Sequence, residues 1–128
     1  MHTAPLVIAI VIVTLPVTAL GDVIAATKRA RAKEFDAVAT VQCAQEVGQA
    51  LAPCEASVAR VAGSAAVVVT FPNGFARTLT FSDGDFLRGN ATMSGVGTDT
   101  AWHLSDGIYR LRVDDQRFDI PETLVTAD

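Results

Sequence analysis

The stretch AAVVVTFPNGFARTLTF (residues 65–81) has the pattern of a β-hairpin: an apolar run, a turn and an alternating run. In the turn, Pro72 favours the first position of a type I turn, Asn73 suits the second, and Gly74 suits the left-handed third position of a three-residue loop. Such a loop places Phe71 opposite Phe75. The pairs that follow are Val69–Arg77, Val67–Leu79 and Ala65–Phe81. The large apolar side chains therefore share the odd-numbered face, which we expect to form the core, with Arg77 at its edge or paired.

Two later turns extend this hairpin into a meander. Ser82-Asp83-Gly84 and Ser105-Asp106-Gly107 have similar chemistry to the first turn, and we interpret each as a three-residue loop. The pairs predicted by the earlier of the two are Phe81–Asp85, Leu79–Leu87 and Thr78–Arg88.

Strand signals continue on both sides of the meander. Alternation predicts strands over residues 35–43 and 57–61, with a loop or short helical turn at 45–53 between them. Further strands are expected at 101–105, 108–113 and 116–120, the last ended by Pro121. The sequence therefore predicts an all-β fold, a small antiparallel meander or barrel of six to eight strands after an N-terminal signal segment.

The N-terminus has the pattern of a targeting segment. Residues 4–20 form a stretch without charge, and its length is typical of a signal peptide rather than a membrane span. Ala19-Leu20-Gly21 matches the small-any-small cleavage pattern that signal peptidase recognises. We therefore expect a signal peptide over residues 1–21, a basic connector over 22–34 with solvated charges or a brief helix, and a single β domain over 35–125. Ordered structure is expected to begin at Glu34. The alternative is an uncleaved anchor in the inner membrane, because the only nearby basic residues follow the apolar stretch: Lys28, Arg29, Arg31 and Lys33.

Two cysteines, Cys43 and Cys54, follow this segment. An even pair behind a signal-like segment predicts one disulfide in an oxidising compartment, and hence a periplasmic or secreted protein. The alternative is two buried thiols in the cytoplasm. Because His103 is the only imidazole beyond the signal segment, zinc lacks ligands, and we predict no metal site.

The composition narrows the classes of function. With 128 residues, the chain holds one domain beyond any targeting segment. The formal net charge of −4 argues against nucleic-acid binding, because phosphate contacts need clustered Lys and Arg. No P-loop or Rossmann glycine pattern occurs, so we predict no cofactor. After cleavage, no stable membrane span is expected.

The strand pairings suggest one candidate binding surface. With a three-residue turn at 105–107, Trp102, Arg110 and Asp119 form a row on one face, while His103 and Tyr109 lie on the core face. A Trp beside a paired guanidinium is typical of interface hot spots. The alternative is a cross-strand ladder that only stabilises the sheet.

A second candidate is the irregular stretch over residues 89–100, which is rich in Gly and Thr and contains Ser94 and Gly95. Such loops often carry function. Ser94, His103 and either Asp99 or Asp106 supply the residue types of a hydrolytic triad. However, no Gly-x-Ser-x-Gly motif surrounds the serine, and a packed His103 on the core face is the simpler interpretation, so we predict that the protein is not an enzyme.

Three segments carry a resemblance: AVATVQCAQE (37–46), VTFPNGFARTLTF (69–81) and IYRLRVDDQRFDIPETLV (108–125). They resemble a family of small, signal-peptide-bearing proteobacterial proteins with two cysteines and a closing R-V-x-D/G-x-R-F/Y-x-I-P segment, here residues 112–121. The resemblance implies export and no assigned activity.

Two further segments, MSGVG (93–97) and AWHL (101–104), are similar to the Ser-Gly loop and aromatic strand of membrane-bound-type lysozyme inhibitors, which are small disulfide-bearing periplasmic β-barrels. The lysine that follows the aromatic strand in that family is missing here, and the cysteine spacing differs.

The function that we expect is that of a small exported binding or envelope-associated module, with another envelope protein or a small ligand as its partner. One alternative is a periplasmic enzyme inhibitor, similar to lysozyme inhibitors, that uses the 89–100 loop. The other is a hydrolase that uses His103.

Overall fold

The computed structural model describes residues 17–89 and 99–127, which form one eight-stranded antiparallel sheet, nearly closed into a barrel, and two helices. The strands are β1 (Ala37–Ala44), β2 (Ala52–Val61), β3 (Ser64–Thr70), β4 (Ala76–Ser82), β5 (Asp85–Gly89), β6 (Thr100–Ser105), β7 (Ile108–Val113) and β8 (Gln116–Pro121). Helix α1 (Val17–Arg31) precedes them, and the short helix α2 (Glu122–Thr126) follows. The predicted all-β meander or barrel is confirmed.

The β3–β4 hairpin has the predicted register, with all three predicted pairs in place. At its turn the amide of Phe71 donates to the carbonyl of Phe75 (2.7 Å), and the amide of Gly74 donates to the carbonyl of Phe71 (2.9 Å). Gly74 has a φ of 90°, which side chains rarely allow, so this glycine fixes the turn and hence the register. Arg77 is half-buried on the core side, and its Nε donates to Oε1 of Gln116 on β8.

The next turn is tighter than expected. Asp83 and Gly84 both have positive φ, 51° and 84°, which is the signature of a two-residue type I′ turn. Phe81 therefore lies opposite Phe86, and the register shifts between Thr80 and Phe81. The three predicted β4–β5 pairs are wrong, because a three-residue loop was assumed where Asp-Gly forms the whole turn.

The strand order is β5-β4-β3-β2-β1-β8-β7-β6, so the first strand of the sheet pairs with the last. The pairs that join them are Gln42–Asp119, Cys43–Phe118 and Ala44–Arg117. The two edges of the sheet are consequently β5 and β6, from the middle of the chain. The opening of the barrel lies between them.

The core fills the inside of this curved sheet. Its largest fully buried side chains include Tyr109, Phe81 and Phe118. Leu124 and Val125 of α2 join the same cluster, so α2 packs against the core on the inner side of the sheet. Nε and Nη2 of Arg60 on β2 donate to the carbonyl of Leu124, at 3.0 and 2.8 Å, and hold this helix to the sheet.

Helix α1 covers the outer face of β2 and β3. Ala26 and Ala30, one helical turn apart, are buried against Ala59 of β2 and Ala66 of β3. These small side chains let the helix lie close to the sheet. Ordered structure therefore begins before Glu34, contrary to expectation, because the segment after the apolar stretch carries an apolar stripe at helical spacing.

One basic residue of the expected connector is part of the fold rather than solvated. Nη1 and Nη2 of Arg29 donate to the two carboxylate oxygens of Asp36 (2.9 and 3.1 Å), and Nη1 also donates to the carbonyl of Arg60 (2.6 Å). The amide of Arg60 donates to Asp36 as well (2.8 Å). The hydrogen bond from Arg29, aided by that from the Arg60 amide, lowers the pKa of Asp36 from 3.8 to about 2. This network fastens the end of α1 to the sheet.

The predicted disulfide is confirmed. It joins Cys43 of β1 to Cys54 of β2, with 5.9 Å between the Cα atoms. Both cysteines are buried in the core cluster. The bond closes the base of the loop over residues 45–51 that connects the two strands.

The signal-peptide prediction concerns residues 1–21, of which 1–16 lie outside the described part of the chain. Cleavage after Gly21 stays a prediction. It would keep the part of α1 that holds Ala26 and Ala30. Neither helix, within residues 17–89 and 99–127, combines the length and the apolar character that a membrane span requires.

Candidate binding site

The turn between β6 and β7 decides which side chains share a surface. Asp106 and Gly107 have φ of 54° and 74°, so this is again a two-residue type I′ turn, with Ser105 opposite Ile108. A three-residue loop was predicted, and that prediction is wrong. Because strand side chains alternate between faces, the one-residue difference moves every β6 side chain to the opposite face.

The predicted row of Trp102, Arg110 and Asp119 is corrected accordingly. His103, not Trp102, lies opposite Arg110, which in turn lies opposite Asp119. Trp102 lies opposite Leu111, a residue of the core cluster, on the inner face. The pairing of Arg110 with Asp119 was predicted correctly, because the predicted strands 108–113 and 116–120 leave two residues for the turn between them.

The outer face of β6, β7 and β8 thus carries a polar row. Nη1 of Arg110 donates to Oδ2 of Asp119 at 2.8 Å, and Asp119 is itself opposite Gln42 of β1. His103, at the exposed end of the row, makes no side-chain hydrogen bond to any described residue. An exposed ion pair of this kind contributes at most about 1 kcal/mol, so its main effect is to orient the guanidinium.

Beside this row, two arginines lie directly opposite each other: Arg112 on β7 and Arg117 on β8. Nη1 of Arg112 donates to Oδ2 of Asp99 (3.2 Å) and to the carbonyl of Asp114 (3.0 Å). Nη2 of Arg117 donates to the carbonyl of Gln49. Like charges directly opposite in a sheet are destabilising. Asp99 offsets part of this repulsion at Arg112, and each guanidinium is fixed through one nitrogen.

The loop over residues 45–51 supports Arg117. Oε1 of Gln49 accepts the amides of Gln45 (2.9 Å) and Glu46 (3.0 Å), so the loop is folded on itself. The disulfide closes its base. The carbonyl of Gln49, which accepts a hydrogen bond from Arg117, therefore lies in a loop that these contacts hold in place.

Between the arginines and β6 lies a shallow groove of about 410 Å³, which we call the β6–β8 groove. It is lined by Leu51, Ala101, Trp102, His103, Arg110, Leu111, Arg112, Arg117 and Asp119. Three guanidinium groups and a single carboxylate line it, although the whole chain has a net charge of −4. Asp119 pairs with Arg110 and Asp99 pairs with Arg112, so Arg117 is the arginine of the groove without a carboxylate partner among the described residues. Its guanidinium suits a ligand with an oxyanion group.

Strand β6, at one rim of the groove, is exposed on both faces. Trp102 and Leu104 are directed to the inner side yet remain 39% and 42% exposed. The indole of Trp102 packs on Tyr109, with 6.0 Å between ring centroids. Two large apolar side chains at the free edge of a sheet are a feature of binding surfaces.

Across the opening of the barrel, β5 lies near β6, and two side chains of β7 contact the β4–β5 hairpin. The buried hydroxyl of Tyr109 donates to the carbonyl of Gly84 (2.6 Å), and burial raises the pKa of this hydroxyl. At the far end of β5, Gly89 approaches the side chain of Val113 so closely that a Cβ there would lie 2.7 Å from Cγ1. These two contacts close the core and leave the edge of β6 unpaired among the described strands.

The prediction that His103 is packed on the core face is wrong, since the residue is exposed on the outer face. Ser94 and Gly95, and with them most of the 89–100 loop, lie outside the described residues. The triad and the inhibitor-loop hypotheses therefore stay predictions. In the described part of the chain, no three His, Cys, Asp or Glu side chains are placed to hold a metal ion.

Sequence reasoning missed Arg112 and Arg117. The sequence could have predicted this pair, because the register that pairs Arg110 with Asp119 also pairs these two arginines. The contribution of Gln49 had no such signal, since it depends on the fold of a loop.

In comparisons with known proteins, no family model, no curated protein and no solved structure matches the chain.

Proposed function

We propose that the protein is an exported binding module, and that the β6–β8 groove binds an anionic group of its partner. Export is supported by the Cys43–Cys54 disulfide, since such bonds persist mainly in oxidising compartments. A binding role is supported by Trp102 and Leu104, two large apolar side chains that stay exposed at the edge of β6.

The observation that carries the proposal is the opposed pair of Arg112 and Arg117. Arg110 faces a carboxylate across the strands, whereas Arg112 faces a second arginine, and Arg117 has no carboxylate partner among the described residues. A carboxylate or phosphate bound between the two guanidinium groups would offset their repulsion. Because each arginine is anchored through one nitrogen, the remaining N–H groups are oriented before the ligand arrives.

The experiment compares the exported protein, purified after expression of the full chain, with an Arg112→Gln/Arg117→Gln double variant. Each protein is immobilised and exposed to an envelope extract of its own source. Hydrogen bonds to charged groups contribute about 1.5–3 kcal/mol each, so the double variant should retain at most about a tenth of the bound partner. Capture should also weaken as salt is raised.

The matched control is Arg88→Gln, which removes an exposed arginine from β5, outside the groove. This variant should capture the partner as the unchanged protein does. Equal capture by the double variant would refute the proposal, and so would an equal loss with the control.

A further inference from the structure

We infer that β6 binds its partner by strand addition, and that the partner segment is an extended chain with alternating acidic and apolar side chains. The inference rests on the proposed function, since it uses the same groove. Among the described strands, β6 pairs only with β7. Within residues 17–89 and 99–127 no strand pairs with its other edge, and the addition of a strand to such an edge is a known mode of peptide recognition.

The register shows which backbone groups face that edge. Ser105 and Ile108 flank a two-residue turn and exchange hydrogen bonds, so alternate residues of β6 bond to β7. Trp102 and Leu104 lie between those positions. Their N–H and C=O groups are therefore directed toward the free edge, where an added strand would pair with them.

On the outer face, Ala101 of β6 lies opposite Arg112 and is therefore the next residue in the cross-strand row that contains the arginine pair. An added residue opposite Ala101 would have its Cα about 10 Å from that of Arg112, two strand spacings away. An extended arginine and a glutamate together span this distance, and the small side chain of Ala101 leaves the path free. The incoming residue at this position should therefore be acidic.

On the inner face, Trp102 and Leu104 keep about two-fifths of their surface exposed. The neighbours of the acidic residue in an added strand point to this side, because strand side chains alternate. Apolar side chains there would cover the indole and the leucine. The two faces of β6 thus favour a partner segment in which acidic and apolar side chains alternate.

A second copy of this chain fits the edge poorly. Paired with itself, β6 would present its outer-face residues Ala101 and His103 to the arginine pair, and neither side chain is acidic. The charges favour a different, acidic partner.

The test uses a fluorescent ten-residue peptide in which valine and glutamate alternate, titrated against the purified exported protein. Two control peptides replace glutamate with lysine or carry N-methyl groups on alternate amides, which prevents strand pairing. We expect saturable binding of the first peptide. Loss of the charge-assisted bonds should weaken the lysine peptide by at least about tenfold. The N-methylated peptide should not bind, since it cannot form the ladder.

Two variants test the same edge from the protein side. Leu104→Pro removes an edge-facing N–H, whereas Leu104→Ala removes the side chain and keeps the N–H. Proline is tolerated where the N–H of an edge strand faces solvent, and a thermal melt confirms that each variant is folded. Peptide binding should be abolished by proline and only reduced by alanine.

Equal binding of the methylated and unmethylated peptides would overturn strand addition, whatever the behaviour of the variants. Absence of binding by the alternating peptide, or dimerisation of the protein through β6 in place of peptide binding, would overturn it as well. The proposed function fails separately: capture from the extract that depends on Arg112 and Arg117 would stand even if no peptide bound.

Discussion

Replacing Gly89 with alanine should destabilise the protein although the change adds only a methyl group. A Cβ at this position would lie 2.7 Å and 3.1 Å from the two methyl groups of Val113 and 3.4 Å from Cδ of Arg77. Val113 is fully buried, so it cannot move away without displacing the core. Overpacking of this kind costs roughly 1–3 kcal/mol.

A smaller gain opposes that cost. Alanine restricts the unfolded chain more than glycine does, which stabilises the folded state by about 0.4–1 kcal/mol where the backbone is compatible. The net expectation for Gly89→Ala is a free energy of unfolding lower by about 1–2 kcal/mol. For a domain of about 100 residues this lowers Tm by roughly 4–8 °C. Urea denaturation and thermal melts of the oxidised protein measure both quantities.

The chain provides a matched control. A Cβ at Gly63 would also meet an atom at 2.7 Å, but that atom is Oδ1 of Asp83, the end of an exposed side chain that can rotate away. Gly63→Ala should therefore leave the stability unchanged or slightly raised. The contrast between the two variants separates a rigid neighbour from a mobile one at the same distance.

A double-mutant cycle identifies the cause. Val113→Ala removes the methyl groups that Gly89→Ala would meet, so the second substitution should cost at least about 1 kcal/mol less in the Val113→Ala background. Strict additivity, or a stability of Gly89→Ala equal to that of the unchanged protein, would refute the proposed close packing between β5 and β7.

Two further variants test contacts that fasten other parts to the sheet. Because the pKa of Asp36 is lowered to about 2, its carboxylate stabilises the folded state above pH 4, and this contribution is lost as the pH falls through about 2. Asp36→Asn should therefore be less stable than the unchanged protein at neutral pH, and the difference should shrink between pH 4 and 2 in acid unfolding curves; a constant difference would contradict the ion pair with Arg29. Tyr109→Phe removes the hydroxyl that donates to Gly84, which should lower the free energy of unfolding by about 1 kcal/mol because the half-exposed carbonyl regains water. A loss of 3 kcal/mol or none at all in urea denaturation would contradict that account.

The parts of the fold that local chemistry determines could be predicted from the sequence. The Pro72-Asn73-Gly74 turn has one compatible conformation, and it correctly fixed the pairs across β3 and β4. The two cysteines were correctly joined because no competing thiol exists. In both cases a few neighbouring residues decide the outcome.

The wrong strand pairs came from turns for which the sequence is compatible with two lengths. An Asp-Gly pair forms a complete two-residue turn when both residues take positive φ, but it also fits the end of a three-residue loop. Choosing the longer loop placed Trp102 in the outer row in place of His103. Since Asp-Gly between alternating strands is the strongest short signal for a type I′ turn, the shorter turn was the better inference.

Other features depend on contacts between distant segments. The pairing of β1 with β8 has no local signal, and neither has the cover that α1 gives to Ala59 and Ala66. No sequence motif predicts the path of the loop that brings Gln49 to Arg117. The arginine pair was within reach, because it follows from the register of the β7–β8 hairpin.

The union of β1 with β8 has a consequence for the way in which the chain reaches its final shape. Most strands can pair as soon as the next strand is synthesised. One edge of β1, however, stays unpaired until β8 is made, about 75 residues further along the chain. During synthesis that side can pair with other chains, a hazard that the disulfide to β2 does not remove. The last strand to arrive is thus the one that completes the sheet, and slow arrival prolongs the aggregation-prone stage.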